Sequence, residues 1–496
     1  MTIELSRRSF LASTATAALV AGAASLRPAW ASARESFIGL DAMAQAELVR
    51  KKEVTALELV DAAAARIEAI NPKVNAVVTE FFGKAREVAK GPLPESPLSG
   101  VPYLIKDLDN FAGERHTSGS RLFAKQISET TDPVPEKAVE AGMVVLGKTN
   151  TPEFGLLATT ESLLLGACHN PWNLGRSTGG SSGGAAAAVA SGMLPVAHAS
   201  DGGGSIRIPA SSCGVFGLKP SRGRMNLGGE KMPGDIGVEN CVSRTVRDSA
   251  MVFSLSEDKS ATAPLKPVGF VAGPSKKRLT IAYGTKDYFG REPHPDVKAA
   301  IDATANLCDD LHHVIIEAKC PLDGEQFIDA FLTVWASGPA SLVGLAKSKG
   351  LNPGKVLEPW TIGLAEFYAK KPKDALPKSL AYFKEAEKTI DAFMARYDVW
   401  LTPVLSEPAP KLGEQAPTVK FDTLYERTVR YVAYTPVHNV AGTPAMSVPL
   451  GMSKDGLPIG SQFAASKGGE GTLLALAYEL ELAQPWAKNH APIFAG

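Results

Sequence analysis

Cysteine is scarce in this chain. Cys168, Cys213, Cys241, Cys308 and Cys320 are spread over 496 residues, and no C-x-x-C occurs. That spacing excludes a Cys-rich zinc module and a dense disulfide framework, and the odd number leaves at least one thiol unpaired within the chain. Buried apolar packing is the expected role for all five. The eight histidines include no H-E-x-x-H and no H-x-H, so no metal site and no metal cofactor are expected. A surplus charge is missing too: 52 basic residues balance 52 acidic ones. With no lysine- or arginine-rich block, the electrostatic footprint of a nucleic-acid binder is lacking. Beyond roughly the first thirty residues no long hydrophobic span is evident, so stable membrane insertion is not expected. No internal repeat or extended low-complexity tract appears.

What is present reads as an ordinary globular composition, 45% hydrophobic and 21% charged, on a chain long enough for a large buried core. The first 31 residues stand apart. Arg7 and Arg8 precede Phe10 and Leu11, a mildly apolar run follows, and Ala29, Trp30 and Ala31 offer a small-x-small cleavage site. This layout predicts a twin-arginine export signal over residues 1–31, removed from a protein that works in the periplasm or is secreted. The remainder, 32–496, is expected to form a single domain.

Along that remainder, helical and strand patterns alternate. Asp41 can cap a helix, and Thr55 with Glu58 forms a capping box for another that Asn71 and Pro72 should end. The apolar runs "GVPYLI" and "GMVVLG", bounded by glycine and proline, predict buried strands. "KRLTIAYG" and "DVWLTPVL" do the same. "SLAYFKEAEKTIDAFMARY" is amphipathic, and "AMSVPLG" and "LPIGSQFAA" flank a hairpin turn at Lys454, Asp455 and Gly456. The class is therefore α/β. The proline-rich stretch from Pro264 to Pro274 is either a linker or a surface loop.

Two glycine clusters interrupt this pattern. "GRSTGGSSGGAAAAVASG" carries no lysine after its glycines, which excludes a P-loop, and it follows a polar turn rather than a strand, which excludes a dinucleotide fingerprint. The second, "SDGGGS", ends in Ser205. Its glycines let the backbone approach a ligand and aim successive N–H groups at one point, so Ser205 is a candidate nucleophile with its own oxyanion donors. A serine nucleophile needs a base. His198 and His438 are available, but His198 sits in what reads as a core strand and no G-x-S-x-G elbow surrounds Ser205. The other solution is lysine. Lys106 falls just past an apolar strand, where burial disfavours its charged form, and a hydroxyl from the first glycine loop could bridge it to Ser205.

"GVPYLIKD", "GRSTGGSSGG", "SDGGGSIRIPASSCGVFGLKPSRGR" and "TPAMSVPLG" together resemble the amidase signature family. The likeness runs from about Glu35 to the end and is strongest between Gly100 and Arg224. It implies a large mixed central β-sheet covered by helices on both faces. It also implies a Ser–cis-Ser–Lys triad: Lys106 as base, Ser181 as bridge after a non-proline cis peptide bond, Ser205 as acyl nucleophile. Backbone N–H groups of Gly202, Gly203, Gly204 and Ser205 would form the oxyanion hole. Ser182 would be the supporting serine, and Asp201 with Arg207 the structural pair. No organic cofactor is implied. The expected partner is a small-molecule amide, and a homodimer is compatible with the sequence. Within the family, "AQAELVR", "NPWNLGRS" and "SIRIPAS" look most like hydrolases of cyclic aliphatic amides. The substrate pocket should come from residues 320–440, with Phe331 and Trp335 as candidate apolar walls. Three rivals remain: a glutamyl-tRNA amidotransferase A-type subunit, an exported binding protein that keeps the fold without turnover, and a serine esterase assisted by His198 or His438.

Overall fold

The computed structural model describes residues 37–228 and 233–495. The expected export signal over residues 1–31 lies outside them. An eight-stranded mixed sheet organises the chain. Its order is Val314–Glu317, Thr280–Tyr283, Val399–Pro403, Pro458–Ala465, Ala445–Met452, Phe216–Lys219, Val238–Ser243 and Val196–Asp201. Thr280–Tyr283 runs parallel to both its neighbours, and the remaining pairs are antiparallel.

Strand alternation explains the burial of both faces. In Val399–Pro403, Val399 and Leu401 enter one core with Ile281, Ile301 and Phe463, whereas Trp400 enters another with Ala282, Phe327 and Phe393. The first core is closed by helices Val246–Ser256, Pro295–Asp310 and Glu470–Ala483; the second by Gly324–Ser348 and Ala375–Met394. With both faces covered, the central strands read as continuous apolar runs. Against the expectation of no long hydrophobic span past the first thirty residues, the helix Gly324–Ser348 is long and apolar enough to cross a membrane by length and composition. Half of its most apolar stretch is buried inside the fold.

A three-stranded sheet, Val77–Glu80, Val144–Thr149 and Pro102–Lys106, sits beside the free edge strand Val196–Asp201. Between them lies the helix Gly183–Ala190, whose residues Ala185 through Val189 are fully buried. Four of these five fully buried residues are alanine, whose small side chains let the helix pack close to the strands.

Most local expectations hold. Asp41 caps Ala42–Arg50 by accepting from Ala44 N–H, and the Thr55–Glu58 capping box forms. The hairpin at Lys454 to Gly456 joins two paired strands. One expectation fails. The helix from Ala56 passes through Pro72 to Val74 and stops at Asn75, which adopts a left-handed conformation and donates its N–H to Asn71 O at 2.7 Å. Proline in a last turn forfeits a single hydrogen bond, and burial of Val74 favours continuing. The Pro264–Pro274 stretch is a surface loop rather than a linker: Glu257 accepts from the amides of Val268 and Gly269, and Val268 and Val271 pack on the core. Four cysteines are buried, while Cys320 is partly exposed, and all five are free thiols.

Replacing Ala187 with leucine should overpack this seam. We expect a loss of about 1–3 kcal/mol in denaturant unfolding, together with lowered activity, because the helix carries the first glycine loop at its N-terminus.

Candidate active site

Lys106 is the last residue of its strand. Leu104, two residues back, packs into the core that contains the alanine helix, and strand parity sends Lys106 the same way. Its side chain is wholly buried, and its Nζ donates to Ser181 Oγ at 2.7 Å and to Ser200 Oγ at 3.0 Å. Burial lowers its pKa to about 7, against the opposing pull of Asp109, Asp201 and Glu239. Burial alone does not single it out. Lys219 is also pushed down to about 7, yet its amine donates to the Pro220 carbonyl, and Lys148 donates to the Asp109 carbonyl. Lys106 differs in ending on two hydroxyls.

The first glycine loop brings one of these hydroxyls. Gly179 has φ +72°, and a Cβ on Gly180 would lie 2.7 Å from the carbonyl oxygens of Leu157 and Thr159. Only glycine permits that approach. The Gly180–Ser181 peptide bond is cis. Ser182 ties the loop to its surroundings: its N–H donates to the Ser205 carbonyl at 3.3 Å and its Oγ to the Ser200 carbonyl at 3.2 Å.

Ser205 lies two residues before the helix Arg207–Cys213 and is 8% exposed. The turn that presents it is built on Asp201. The Asp201 carboxylate accepts from the amides of Gly204 at 2.7 Å and Ile206 at 3.2 Å, and takes a two-pronged grip from Arg207. Arg207 also donates to Thr435 O, Gln462 Oε1 and Asn439 Oδ1, so every arm is satisfied. Burial raises the Asp201 carboxyl, but Arg207 outweighs it and holds it well below the usual range. The Gly204 N–H is thereby committed. Of the four oxyanion donors expected, this one points at Asp201, leaving Gly202, Gly203 and Ser205.

Phe331 and Trp335, one helical turn apart on Gly324–Ser348, stack at 5.6 Å. A Cβ on Gly203 would meet Phe331 at 3.1 Å, so these rings lie directly against the nucleophile turn. With Leu156, Ile208, Ile328 and Trp360 they line a narrow apolar cavity of about 60 Å³ that reaches Ser205. Four of these six residues, Ile328, Phe331, Trp335 and Trp360, come from the 320–440 region.

Several groups were not legible in the sequence. Ser200 is the second hydroxyl on Lys106, and its placement depends on the strand beside Lys106. His198 is buried, bridging Lys106 N–H at Nδ1 (3.4 Å) and Glu239 at Nε2 (3.3 Å), with Asp109 3.5 Å away. Asp109, His198 and Glu239 are the set among the described residues whose spacing would suit a metal ion. Both ring nitrogens of His198 already have protein partners, so a ligand role would break one of these contacts. His438 is buried and bonded to Thr443 Oγ1, with burial and Arg207 holding it neutral.

Comparison with known proteins agrees with this geometry. The family model described as Amidase matches residues 58–474. The chain belongs to the amidase signature family. It is 38% identical over 462 residues to the putative amidase AmiC of Mycobacterium tuberculosis (strain ATCC 25618 / H37Rv), covering 92% of this chain and 97% of that protein. It is 36% identical over 482 residues to the 6-aminohexanoate-cyclic-dimer hydrolase of Pseudomonas sp. (strain NK87), covering 90% and 95%. The solved structure of a 6-aminohexanoate cyclic dimer hydrolase complexed with substrate superposes with a TM-score of 0.85 at 31% identity, covering 92% of this chain and 99% of that one. The protein is an amidase, a hydrolase of C–N bonds.

Removing the Asp201 partner tests the buried charge pair. Arg207→Met should cost about 3–5 kcal/mol of stability, measured by urea unfolding, because it leaves a carboxylate without a counter-charge.

Proposed function

We propose that this amidase cleaves the carboxamide bonds of small linear or cyclic aliphatic amides through an acyl-enzyme on Ser205. The observation that carries the reading is the buried Lys106 amine, 2.7 Å from Ser181 Oγ and lowered to about 7 by burial. Uncharged Lys106 accepts the Ser181 proton as Ser181 accepts the Ser205 proton, and Ser205 Oγ attacks the amide carbon. Negative charge gathers on the carbonyl oxygen, where the amides of Gly202, Gly203 and Ser205 are the available donors. The relay then runs backward and delivers the proton to the leaving nitrogen as the C–N bond breaks. Water, deprotonated by the same relay, hydrolyses the ester and restores Ser205.

The apolar cavity beside Ser205 supports an aliphatic acyl group. Cyclic and linear 6-aminohexanoate oligomers are the substrates to assay first, given the likeness to hydrolases of that name. We further propose that the protein is exported by the twin-arginine route and works in the periplasm or outside the cell. The support is the Arg7, Arg8 and Ala29 to Ala31 pattern.

Ser205→Ala should be inactive and should lose labelling by a fluorophosphonate probe. Lys106→Ala should lose several orders of magnitude in kcat/KM. Lys106→Arg should not rescue it, because arginine stays charged; substantial activity in that variant overturns the scheme. The pH dependence has a defined sign. The working form of Lys106 is unprotonated, so kcat/KM for an uncharged amide should rise with pH through about 7 and level off above it. A flat profile between pH 5 and 9 contradicts an amine base.

A further inference from the structure

Two cavities of opposite character meet at Ser205. The first is the apolar slot described above, which holds on the order of four to six water-sized groups. The second is a chamber of about 360 Å³. Its described lining includes Asp109, Asp132, Asp235 and Glu239, the Arg207-paired Asp201, and Ser181 and Ser205, and includes no lysine or arginine. The slot and the chamber share Gly155, Ser205 and Trp335, but only the chamber is lined by Ser181.

That asymmetry assigns the two halves of the substrate. In the relay proposed above the leaving nitrogen takes its proton from Ser181, so the amine must depart on the Ser181 side. The acyl group is then left with the apolar slot. We infer that the preferred substrates join a short apolar acyl group to an amine that carries a second, cationic nitrogen: monoacylated aliphatic diamines and related N-acyl polyamines. This inference rests on the amide-hydrolysis reading and names the substrate class it serves.

Within that lining Asp109 is the least satisfied acid: it is 5% exposed, and its Oδ2 accepts no hydrogen bond, with His198 Nδ1 3.5 Å away. The other acids are engaged. Asp132 accepts from the main-chain and side-chain nitrogens of Asn110, and Glu239 accepts from His198. Basic side chains do stand behind the wall: Lys106 bonded to Ser181, His198 between Asp109 and Glu239, and Lys148 bonded to the Asp109 carbonyl and 3.6 Å from Asp107. None of them is among the lining residues, and Lys106 is uncharged in the working enzyme. Burial next to Glu239 pushes the Asp109 carboxyl up to about 7. An arriving ammonium offers the counter-charge that would favour its ionised form.

Three amides with one pentanoyl group test this. Their amine sides carry the same four-methylene tether ending in ammonium, methyl or carboxylate. The ammonium amide should exceed the methyl amide by roughly tenfold or more in kcat/KM at low salt, the carboxylate amide should be the poorest, and added salt should narrow the gap. Linear 6-aminohexanoate oligomers, whose leaving amine bears a carboxylate, should be handicapped in the same way. Glu239→Gln, and separately Asp109→Asn, should reduce the ammonium-to-methyl ratio several-fold through KM. Carboxylates that only hold the Lys106 proton would shift the pH profile of all three amides together and leave the ratio near one. Equal rates for the three amides overturn this inference and leave the amidase reading intact. Hydrolysis of none of them, with Ser205 unreactive toward a fluorophosphonate, overturns both.

Discussion

An amine gains its usefulness here from being denied water. Lysine in solution holds its proton near neutral pH and cannot accept one from a hydroxyl. Lys106 sits with no exposed surface, which lowers its pKa to about 7, and its two nearest polar partners are hydroxyls rather than carboxylates. A carboxylate in contact would have restored the charge. The acids of the neighbourhood, Asp109, Asp201 and Glu239, act on Lys106 only through space. The site thus depends on a balance: enough burial to remove the proton, and enough negative field nearby to keep the shift moderate.

That balance is set by packing at some distance from the chemistry. The buried, alanine-rich helix Gly183–Ala190 shares a core with Leu104 of the strand that ends at Lys106. The Asp201–Arg207 pair, wholly buried, fixes the turn that presents Ser205 and joins it to Asn439 and Gln462 from the last third of the chain. A buried ion pair is weak evidence for stability, since desolvating both charges offsets much of the attraction. Its value here is geometric: one carboxylate holds the Gly204 and Ile206 amides and so sets the direction of the intervening serine.

The family relationship and the site geometry arrive at amide hydrolysis from different directions. The relatives speak for the reaction, and the two cavities speak for the molecule on which it is performed. The apolar slot comes largely from the helix Gly324–Ser348 and its neighbours, whereas the acidic chamber draws on loops after the strands that end at Lys106 and Asp201. The acyl side of the site is therefore built by a stretch of sequence remote from the chemistry, and the amine side by residues adjacent to it.

Much was legible in the sequence alone, and for definite reasons. Local patterns marked the strands at Pro102 and Val144, the Thr55 capping box and the Lys454 hairpin, because these depend on residues close in the chain. The glycine clusters pointed to Ser205 and to a bridging hydroxyl in the first loop, which the family resemblance named as Ser181, since backbone that must approach a ligand or a neighbouring carbonyl tolerates no side chain. The helix through Pro72 escaped, because burial of Val74 is a tertiary matter. So did Ser200, the Asp109–His198–Glu239 group and the commitment of the Gly204 amide. The partners of Ser200 and of the Asp109 group lie tens to more than a hundred residues away, and only folding brings an edge strand, a loop and a second sheet to one point; Asp201 is close to Gly204 in the chain, but the direction of its carboxylate is set by Arg207 and Asn439. The sequence determined which groups could react; the tertiary structure decided which of them share a dry niche, because burial and long-range contact are properties of the packed chain and not of any segment within it.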